Sequence, residues 1–575
     1  MARMKRKNYP LYETTVFRDF RVMMENTAAR NPDGVAISYK NAPNDKVVQK
    51  ITYAQVKRDV RALGEAMMDM GLSGKKVMIS GKNSWEWIYC YFALMSIGAV
   101  TVPTDKDLPE EELLGIANRA GCAAVCYGGE ISQKANYLRE NMPEGTLFIA
   151  MGEDGVEGDI SVSALIEKGH ALLEGGSTLY DSYEVKPDEL ATIVFTSGTT
   201  GKGKGVMLSI TNIVSDMTQG MYLFDITPKT MMVLPAHHTF GSTVNIVGHY
   251  AQCSEIYISS GIKYFVREIQ EQQPSHVILV PLFLETLHKK IWQGAEKKGK
   301  ADTMRKGMKI SKFLLKLGID VRRKLFAEVH HTLGGKLEMV ISGGAPLRQD
   351  IIEDFQAWGL NVLNGYGITE CAPLISCNRN LYQKQGSVGM PIIGGQVKIL
   401  EPDEDGDGEI CYKGPNVMLG YYDEPEATAA VFDDEGYFRT GDYGHVVRNG
   451  DECWIYITGR KKNMILFSNG KNVYPEEIEV ELAQRIDGIS EVIVYAGECV
   501  DHPEKEIIVA EIFPDAERLE ALGITDVEGY FAEKVKEVND YLISYKHIGH
   551  VKIRHEEFEK NTSKKILRFK IDKRV

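Results

Sequence analysis

The chain has 575 residues, of which 43% are hydrophobic and 26% are charged, so it is unlike disordered or collagen-like chains. At roughly 150 residues per domain, this length predicts about three or four structural units. The net charge of −13, from 67 Lys and Arg against 80 Asp and Glu, argues against a nucleic-acid binder, which needs a basic surface. The nine cysteines are scattered without zinc-type spacing, so we expect free thiols in a reducing compartment.

The N-terminal segment, Met1–Lys7, is basic but continues into Asn8-Tyr-Pro rather than an apolar stretch, so no secretory signal is predicted. The longest apolar run, Ile88–Val102, is too short to span a bilayer and is interrupted by Ser96 and Thr101. This run predicts a buried helix that leads into a strand. The expected location is therefore cytoplasmic, with peripheral contact at the inner membrane face as an extension of that hypothesis.

A helix is predicted from Thr52, because apolar residues recur at helical spacing from Val56 to Met70 and Gly71 supplies a stop. Strand-like runs then alternate with helical segments, which predicts an α/β fold with largely parallel sheets. The predicted strands are Lys76–Ser80, Val100–Pro103, Ala191–Phe195, Met231–Leu234, His276–Val280, Leu337–Ser342 and Asn361–Leu363.

After about residue 386 the pattern changes to short strands separated by Gly- and Asp-rich turns, which favours antiparallel pairing. Beyond Gly459 a basic stretch leads into a compact α+β segment. We therefore place the main boundary near Lys462, with an N-terminal domain of residues 1–459 and a C-terminal domain of residues 460–575. The predicted antiparallel strands are Val397–Leu400, Glu409–Lys413 and Trp454–Thr458.

A loop with the sequence TSGTTGKGKG runs from Thr196 to Gly205, directly after the predicted strand Ala191–Phe195. Such a loop directs backbone N–H groups and hydroxyls toward a polyphosphate, while Lys204 supplies positive charge. A Walker A P-loop is one alternative, because Gly198 to Lys204 reads GxxxxGK. However, Gly205 stands where a P-loop has the Ser or Thr that binds Mg2+. A plain surface turn rarely has this composition, so we predict a phosphate-binding loop.

The loop resembles the signature loop of the adenylate-forming superfamily, which comprises acyl-CoA synthetases, nonribosomal peptide adenylation domains and luciferases. The family loop usually reads TSGTTGxPKG, and Gly203 stands here where the family usually has Pro. Further segments resemble family motifs in the family's order, between about Thr52 and Ile571. These segments are Leu234–Gly241 (LPAHHTFG), Ser342–Leu347 (SGGAPL), Tyr366–Glu370 (YGITE), Tyr437–Asp442 (YFRTGD), Gly459–Arg460 and Asn561–Arg568 (NTSKKILR).

The resemblance implies a nucleotide-binding role for residues of these motifs. Tyr366 is implied to stack on adenine, Thr369 to contact phosphate and Glu370 to hold Mg2+. Asp442 is implied to accept hydrogen bonds from the ribose hydroxyls, and Arg460 to reach the nucleotide as well. The other implied nucleotide-binding residues are Thr196, Ser197, Gly198, Thr199, Thr200, Gly201, Lys204, Gly344, Ala345, Pro346 and Gly367.

The resemblance also implies catalytic and mechanical roles outside the nucleotide site. His238 is implied to lie at the substrate pocket, with His237 as the alternative. Lys565 is implied to be the catalytic lysine, by its register with Ile566, although Lys564 is its neighbour. Lys462 is implied to be the hinge about which the C-terminal domain alternates between two half-reactions.

The implied fold has two stacked, mainly parallel α/β subdomains and a small β-barrel-like subdomain, followed by a small mobile α+β domain. The implied enzyme is an ATP-dependent, AMP-forming acyl-CoA ligase that activates a medium- or long-chain fatty acid through an acyl adenylate. ATP, Mg2+ and coenzyme A are the expected cofactors, and the fatty acid is the expected partner. Gly367 replaces the Trp of acetate-specific relatives, which favours a longer acid. The alternatives are an acyl-carrier-protein ligase and a nucleotide-binding protein without acyl chemistry.

A basic segment, residues 289–324, holds thirteen Lys and Arg against three Asp and Glu, a net charge of +10 within an acidic chain. Ile310, Phe313, Leu314 and Leu317 lie on one predicted helical face between lysines. This pattern suits a helix that lies on an anionic membrane, and the insertion resembles that of long-chain fatty acyl-CoA synthetases. The alternative is a helix whose apolar face packs on the body of its domain.

Overall fold

The computed structural model describes residues 11–152, 154–196, 203–380, 382–466, 472–499, 506–560 and 566–575. The chain divides into two compact units, which we call unit 1 (residues 1–396 and 413–438) and unit 2 (residues 397–412 and 439–575). The predicted antiparallel strands after residue 396 therefore belong mostly to the same compact unit as the C-terminal residues. The predicted functional boundary between residues 459 and 460 stays a prediction.

The strands, numbered in chain order, confirm most of the predicted ones, although the strand predicted at Met231–Leu234 begins and ends two residues earlier. They are β1 Val35–Tyr39, β2 Gln49–Thr52, β3 Lys76–Ser80, β4 Val100–Thr104, β5 Cys122–Gly128, β6 Leu147–Met151, β7 Ile160–Ser161, β8 Leu190–Thr196, β9 Lys204–Ser209, β10 Lys229–Met232, β11 Glu255–Ile258, β12 His276–Leu279, β13 Met339–Ser342, β14 Asn361–Gly367, β15 Leu374–Cys377, β16 Met390–Pro391, β17 Gln396–Leu400, β18 Gly408–Lys413, β19 Gly420–Tyr421, β20 Phe438–Asn449, β21 Glu452–Arg460, β22 Ile465–Leu466, β23 Asn472–Val473, β24 Ile489–Glu498, β25 Glu506–Pro514 and β26 Ile548–Ile553.

The α-helices alternate with these strands in unit 1, and a π-helix spans Phe240–Gly248. The α-helices are α1 Phe20–Arg30, α2 Tyr53–Asp69, α3 Trp85–Ser96, α4 Glu110–Ala120, α5 Ser132–Asn141, α6 Val162–Glu174, α7 Leu179–Ser182, α8 Ile210–Met221, α9 His249–Ala251, α10 Phe265–Gln272, α11 Pro281–Lys297, α12 Ala301–Lys316, α13 Arg322–Leu325, α14 Ala327–Thr332, α15 Gln349–Trp358, α16 Pro425–Ala429, α17 Pro475–Arg485, α18 Ala516–Ala521 and α19 Val527–Asn539.

Unit 1 contains two large sheets, which confirms the α/β prediction. Among the described residues, one sheet has nine strands in the order β16-β15-β14-β13-β12-β10-β11-β1-β2, and the other has eight in the order β19-β9-β8-β4-β3-β5-β6-β7. Pairing is parallel through the middle of each sheet and antiparallel at the ends β14-β15 and β8-β9. The predicted phosphate loop follows β8, and the end of the Tyr366–Glu370 motif follows β14. Both therefore begin where the parallel part of a sheet ends.

A shared hydrophobic core includes residues of both sheets of unit 1, such as Ile37 of β1 and Ile79 of β3. The helix α3 contributes a fully buried stretch from Trp87 to Ser96, which confirms the buried helix predicted from the longest apolar run. The helix α2 begins at the predicted place because Thr52 forms a capping box with Gln55. No helix among the described residues combines the length and hydropathy needed to cross a bilayer.

Unit 2 contains the predicted antiparallel strands, which form the sheet β17-β18-β20-β21. It also contains the hairpin β22-β23 and the sheet β24-β25-β26, against which α17 and α19 pack an apolar core. These elements confirm the predicted α+β character of the C-terminal residues. All nine cysteines of the chain are free, as predicted.

Three of the four residues of the predicted apolar face of the basic segment are exposed in unit 1, and the fourth, Leu314, is half-buried. The side chains of α12 that turn toward the protein are small or flexible, with Met304, Gly307, Met308 and Ser311 buried. In contrast, Ile310, Phe313 and Leu317 are 54%, 61% and 62% exposed. The alternative in which this face packs on the domain is therefore wrong for these residues.

Candidate active site

The predicted phosphate loop joins two antiparallel strands. Thr196 at the end of β8 pairs with Lys204 at the start of β9, so the predicted loop connects two paired antiparallel strands. Ser197, Gly198, Thr199, Thr200 and Gly201 lie outside the described residues. A Walker A loop connects a strand to a helix, whereas this loop connects a strand to a strand, so the P-loop alternative does not fit the fold.

Gly203 closes the loop in a conformation that requires glycine. A Cβ at this position would overlap the Thr196 carbonyl oxygen. Arg119 of α4 donates to the Gly203 carbonyl oxygen and pairs with Glu424. Because the guanidinium has donors on both sides, it fastens this end of the loop to the segment that follows β19. Arg119 was not predicted as a site residue.

Lys204 and Glu370 both lie against Tyr421, a residue that the motif analysis missed. The Tyr421 hydroxyl donates to Glu370 Oε1 at 2.9 Å, and Lys204 Nζ lies 4.5 Å from the centroid of the Tyr421 ring. Burial, followed by the Glu370 charge, raises the pKa of Tyr421, which keeps the phenol protonated as a donor. The structure therefore brings together a predicted phosphate-binding lysine and a predicted metal-binding carboxylate.

The Tyr366–Glu370 motif runs from β14 into a single 3-10 turn, Thr369–Cys371. Tyr366 is buried at 7% exposure, whereas Thr369 and Glu370 are half-buried. A Cβ at Gly367 would overlap the Pro373 carbonyl oxygen, which also accepts from the N–H of Ile368. This close packing accounts for a glycine at the position, and the preference for a longer acid stays a prediction.

A buried polar network supports the turn that carries Glu370. The amide of Asn416 donates to the carbonyl oxygens of Cys371 and Leu374 at 2.7 and 2.8 Å, and to Asp216 Oδ1 at 3.1 Å. The N–H of Leu374 also donates to Asp216 Oδ1, at 2.9 Å. Burial raises the pKa of Asp216 well above its ordinary value, which favours the protonated form of this carboxyl group.

The predicted adenine-side loop and the predicted acyl-pocket segment approach each other in unit 1. Gly344, Ala345 and Pro346 form an exposed loop after β13, and a Cβ on Gly343 would lie 3.3 Å from the ring of Phe240 and 3.4 Å from the Gly365 carbonyl oxygen. The π-helix begins at Phe240, two residues after His238. The π-helix is a rare element that is frequently found at functional sites.

The two histidines of this segment differ in environment. His237 is buried, its Nε2 lies 3.5 Å from Asp105 Oδ2, and burial lowers its pKa despite that carboxylate. His238 is half-buried, and its carbonyl oxygen accepts from the N–H groups of Gly241 and Ser242 at 2.8 Å. The more accessible position favours His238 over His237 as the substrate-side residue, and this assignment stays a prediction.

In unit 2, two predicted nucleotide-binding residues form an ion pair. Asp442 on β20 lies opposite Arg460 on β21, and Arg460 Nε is 3.0 Å from Asp442 Oδ1. The adjacent Glu409 is buried, which raises its pKa, but Arg439 and Lys461 lower that pKa more, so it stays ionised. Glu409 Oε1 also accepts from the N–H of Gly441 at 3.2 Å and so braces the turn before Asp442.

Lys462 lies on the 3-10 turn Lys461–Asn463 directly after β21, where its side chain is exposed. The predicted catalytic lysine, Lys565, lies outside the described residues. The isolated bridge between Lys560 and Ile566 pairs the residues on either side of that segment. The hinge and catalytic roles therefore stay predictions.

Sequence reasoning missed the residues that support the site. The only local signal for Tyr421 is an aromatic pair after Gly420, and Asn416, Asp216 and Arg119 carry no motif at all. These side chains act across long separations, so no periodicity or spacing could have identified them.

Comparison with known proteins gives consistent matches over most of the chain. The profile of the AMP-binding enzyme family matches residues 24–422. Long-chain-fatty-acid–CoA ligase 5 of Mus musculus is 28% identical over 560 residues, covering 90% of this chain and 79% of the mouse protein. The chloroplastic long-chain-fatty-acid–acyl-carrier-protein ligase AEE15 of Arabidopsis thaliana is 27% identical over 518 residues, covering 77% and 70%. O-succinylbenzoate coenzyme A synthetase (MenE) from Bacillus subtilis, solved with ATP and magnesium, shares the fold, with a TM-score of 0.70, 20% identity and coverage of 95% and 98%.

Proposed function

The chain belongs to the AMP-binding enzyme family, and on that premise we propose that it is an ATP-dependent, AMP-forming acyl-CoA ligase acting on medium- or long-chain fatty acids. The observation that carries the proposal is the arrangement of Lys204 and Glu370 about Tyr421 beside the Gly-rich hairpin. Among the described residues neither charge has an ion-pair partner, so both are available to a charged ligand. An ammonium and a carboxylate in this arrangement suit a metal–triphosphate.

The reaction requires such an arrangement because a carboxylate is a poor acyl donor. Attack of the carboxylate oxygen on the α-phosphorus of ATP forms an acyl adenylate and expels pyrophosphate. A thiol then attacks the acyl carbon and expels AMP. The first step brings two anions together, so the protein must supply cations and oriented N–H donors. We assign these to Lys204, to the loop backbone and to Lys565.

Mg2+ fits the residues at Glu370. Mg2+ is usually bound through one or two carboxylates together with substrate phosphates, rather than by a cage of protein ligands. One oxygen of Glu370 accepts from Tyr421, and no donor among the described residues contacts the other. The ion would offset negative charge on the β- and γ-phosphates of ATP. Within the described residues no cluster of three or more His, Cys, Asp or Glu suggests a different metal site.

We further propose that Asp442 accepts from the ribose hydroxyls of the nucleotide and that Tyr366 stacks on its adenine. The proposed acyl acceptor is coenzyme A, and an acyl carrier protein is the second candidate. The names of both relatives support a long-chain fatty acid as the substrate. The name of the mouse relative supports coenzyme A as the acceptor, and the name of the Arabidopsis relative supports an acyl carrier protein. A panel of acids of increasing chain length, assayed for AMP release with each acceptor, distinguishes these substrates.

The experiment that tests the adenylation function is acid-dependent exchange of labelled pyrophosphate into ATP. The wild-type chain should catalyse exchange only with the fatty acid present. Lys565→Ala should lower exchange by about 100-fold or more, the scale of losing one electrostatic contact in a transition state. The same variant should still convert supplied acyl adenylate to thioester. Lys564→Ala is the matched control and should retain exchange, whereas equal loss of both half-reactions in Lys565→Ala would contradict the assignment.

We also propose that the exposed face of α12 binds an anionic bilayer, into which fatty acids partition. Ile310, Phe313 and Leu317 would enter the interface, while the flanking Lys306 and Lys309 are exposed and can contact lipid headgroups. The net charge of +10 over residues 289–324 complements such a surface, each Lys or Arg near it contributing about 1 kcal/mol. An apolar face with basic flanks is typical of interfacial helices.

Sedimentation with vesicles tests this surface. The chain should bind vesicles that contain phosphatidylglycerol at low salt, and should not bind vesicles of phosphatidylcholine alone. Phe313→Ser combined with Ile310→Ser should abolish sedimentation. Val16→Ser, which alters a comparably exposed apolar side chain at 67% exposure outside the basic segment, should leave it unchanged. Absence of binding by the wild-type chain at low salt would refute the membrane proposal without affecting the ligase proposal.

A further inference from the structure

Tyr421 occupies a tightly fixed position at the edge of the eight-stranded sheet. It lies on β19 and pairs with Val206 of β9, two residues after Lys204. Its N–H donates to Thr428 Oγ1 at 2.8 Å, and its side chain is only 6% exposed. The ring therefore has little freedom to move away from the start of β9.

Two opposite charges approach this ring without meeting. The Lys204 ammonium lies over the ring face, where the π-electrons attract a cation, and the Glu370 carboxylate accepts from the hydroxyl at the ring edge. A lysine and a glutamate that both contact one tyrosine would gain free energy by forming a direct ion pair if they could reach each other. Among the described residues, however, neither has an ion-pair partner.

We propose that Tyr421 is a positioning residue that holds the Lys204 ammonium and the Glu370 carboxylate apart and oriented, so that a metal–triphosphate can bind both. Its ring separates the two charges, and its hydroxyl fixes one carboxylate oxygen while leaving the other for the metal. This role rests on the proposed adenylation function. Without Tyr421, Lys204 and Glu370 neutralise each other, and binding of the metal–triphosphate has to break their ion pair.

The test is calorimetric binding, which does not depend on turnover. Tyr421→Phe removes the hydroxyl and keeps the ring. We expect it to weaken binding of Mg2+–α,β-methylene-ATP about tenfold, the size of one charge-assisted hydrogen bond. Binding of AMP should change less than about twofold, because AMP lacks the β- and γ-phosphates that the metal and Lys204 contact. Tyr421→Leu, which also removes the ring, should weaken analogue binding further.

The neighbouring aromatic residue supplies the control. Tyr422 contacts the Gly205 carbonyl oxygen through its N–H at 2.8 Å, and Lys76 lies 5.3 Å from its ring centroid, away from Glu370. Tyr422→Phe should leave both binding constants unchanged. Unchanged analogue binding in Tyr421→Phe would overturn the proposal, as would equal weakening of AMP binding, which indicates a merely structural role. Failure of the wild-type chain to bind the analogue at all would instead refute the proposed adenylation function.

Discussion

Asp216 is the buried carboxyl group whose replacement tests the support beneath the site. It is fully buried on α8, its Oδ1 accepts from the Leu374 N–H and the Asn416 amide, and its Oδ2 has no partner among the described residues. Burial raises its pKa well above the ordinary value. Asp216→Asn keeps the accepting oxygen and replaces the protonated oxygen by an amide of similar shape. Asparagine therefore mimics the neutral acid that the fold prefers.

The sign of the pH dependence follows from proton binding. In the unfolded chain Asp216 ionises above about pH 3.9, while in the folded chain its raised pKa keeps it protonated to higher pH. Unfolding therefore releases a proton in this window, so stability is greatest below the unfolded pKa and is lost as pH rises through the folded pKa. The loss is about 1.4 kcal/mol for each pH unit between the two pKa values. Asp216→Asn has no carboxyl group at this position, so its free energy of unfolding does not include this pH-dependent loss.

Urea unfolding followed by circular dichroism, at several pH values above about 5, measures the difference. The free energy of unfolding of Asp216→Asn minus that of the wild type should rise by about 1.4 kcal/mol for each pH unit between the unfolded and folded pKa values of Asp216. All other groups are shared, so their titration cancels. Asp434→Asn, at an exposed position, is the matched control and should show no such slope. A difference that is flat with pH, or that falls, would refute the assignment of a neutral Asp216.

Other substitutions test single contacts of the site. Arg119→Gln removes the guanidinium that holds the Gly203 carbonyl oxygen, and calorimetry should show ATP binding weakened about tenfold with little change in the thermal midpoint. Gly367→Ala places a Cβ against the Pro373 carbonyl oxygen and should lower the free energy of unfolding by about 1–3 kcal/mol, measured in urea. Gly115→Ala, in the open middle of α4, should instead raise it by up to about 1 kcal/mol.

The fold was predictable from the sequence where local patterns determine it. The capping residue and apolar period locate α2, and the longest apolar run of the chain identifies α3 as a buried helix. The π-helix Phe240–Gly248 was not predicted, since a π-helix has no sequence period of its own. The packing of α12 was also undecided, because an amphipathic pattern shows which residues share a face but not which face is covered.

The motif residues of the site were predictable, but the contacts that position them were not. Tyr421 and Glu370 are 51 residues apart, and Asn416 and Asp216 are 200 apart. Such pairs depend on how β19 and the turn after β14 are placed in the tertiary structure, which no local pattern records. A motif therefore locates chemical groups along the chain, while the energy that holds them in place comes from residues outside it.

The distribution of ion pairs separates ligand-binding charges from supporting ones. Arg119 pairs with Glu424, and Glu409 pairs with Arg439 and Lys461, so these charges stabilise the backbone near each motif. Lys204 and Glu370 remain without an ion pair in the part of the chain that the structure describes. Because a half-buried charge without an ion-pair partner costs free energy, a fold that keeps two such charges against one tyrosine requires a compensating ligand or a spacer. A bound metal–triphosphate compensates both charges. Until the metal–triphosphate binds, the Tyr421 phenol keeps the Lys204 ammonium and the Glu370 carboxylate apart.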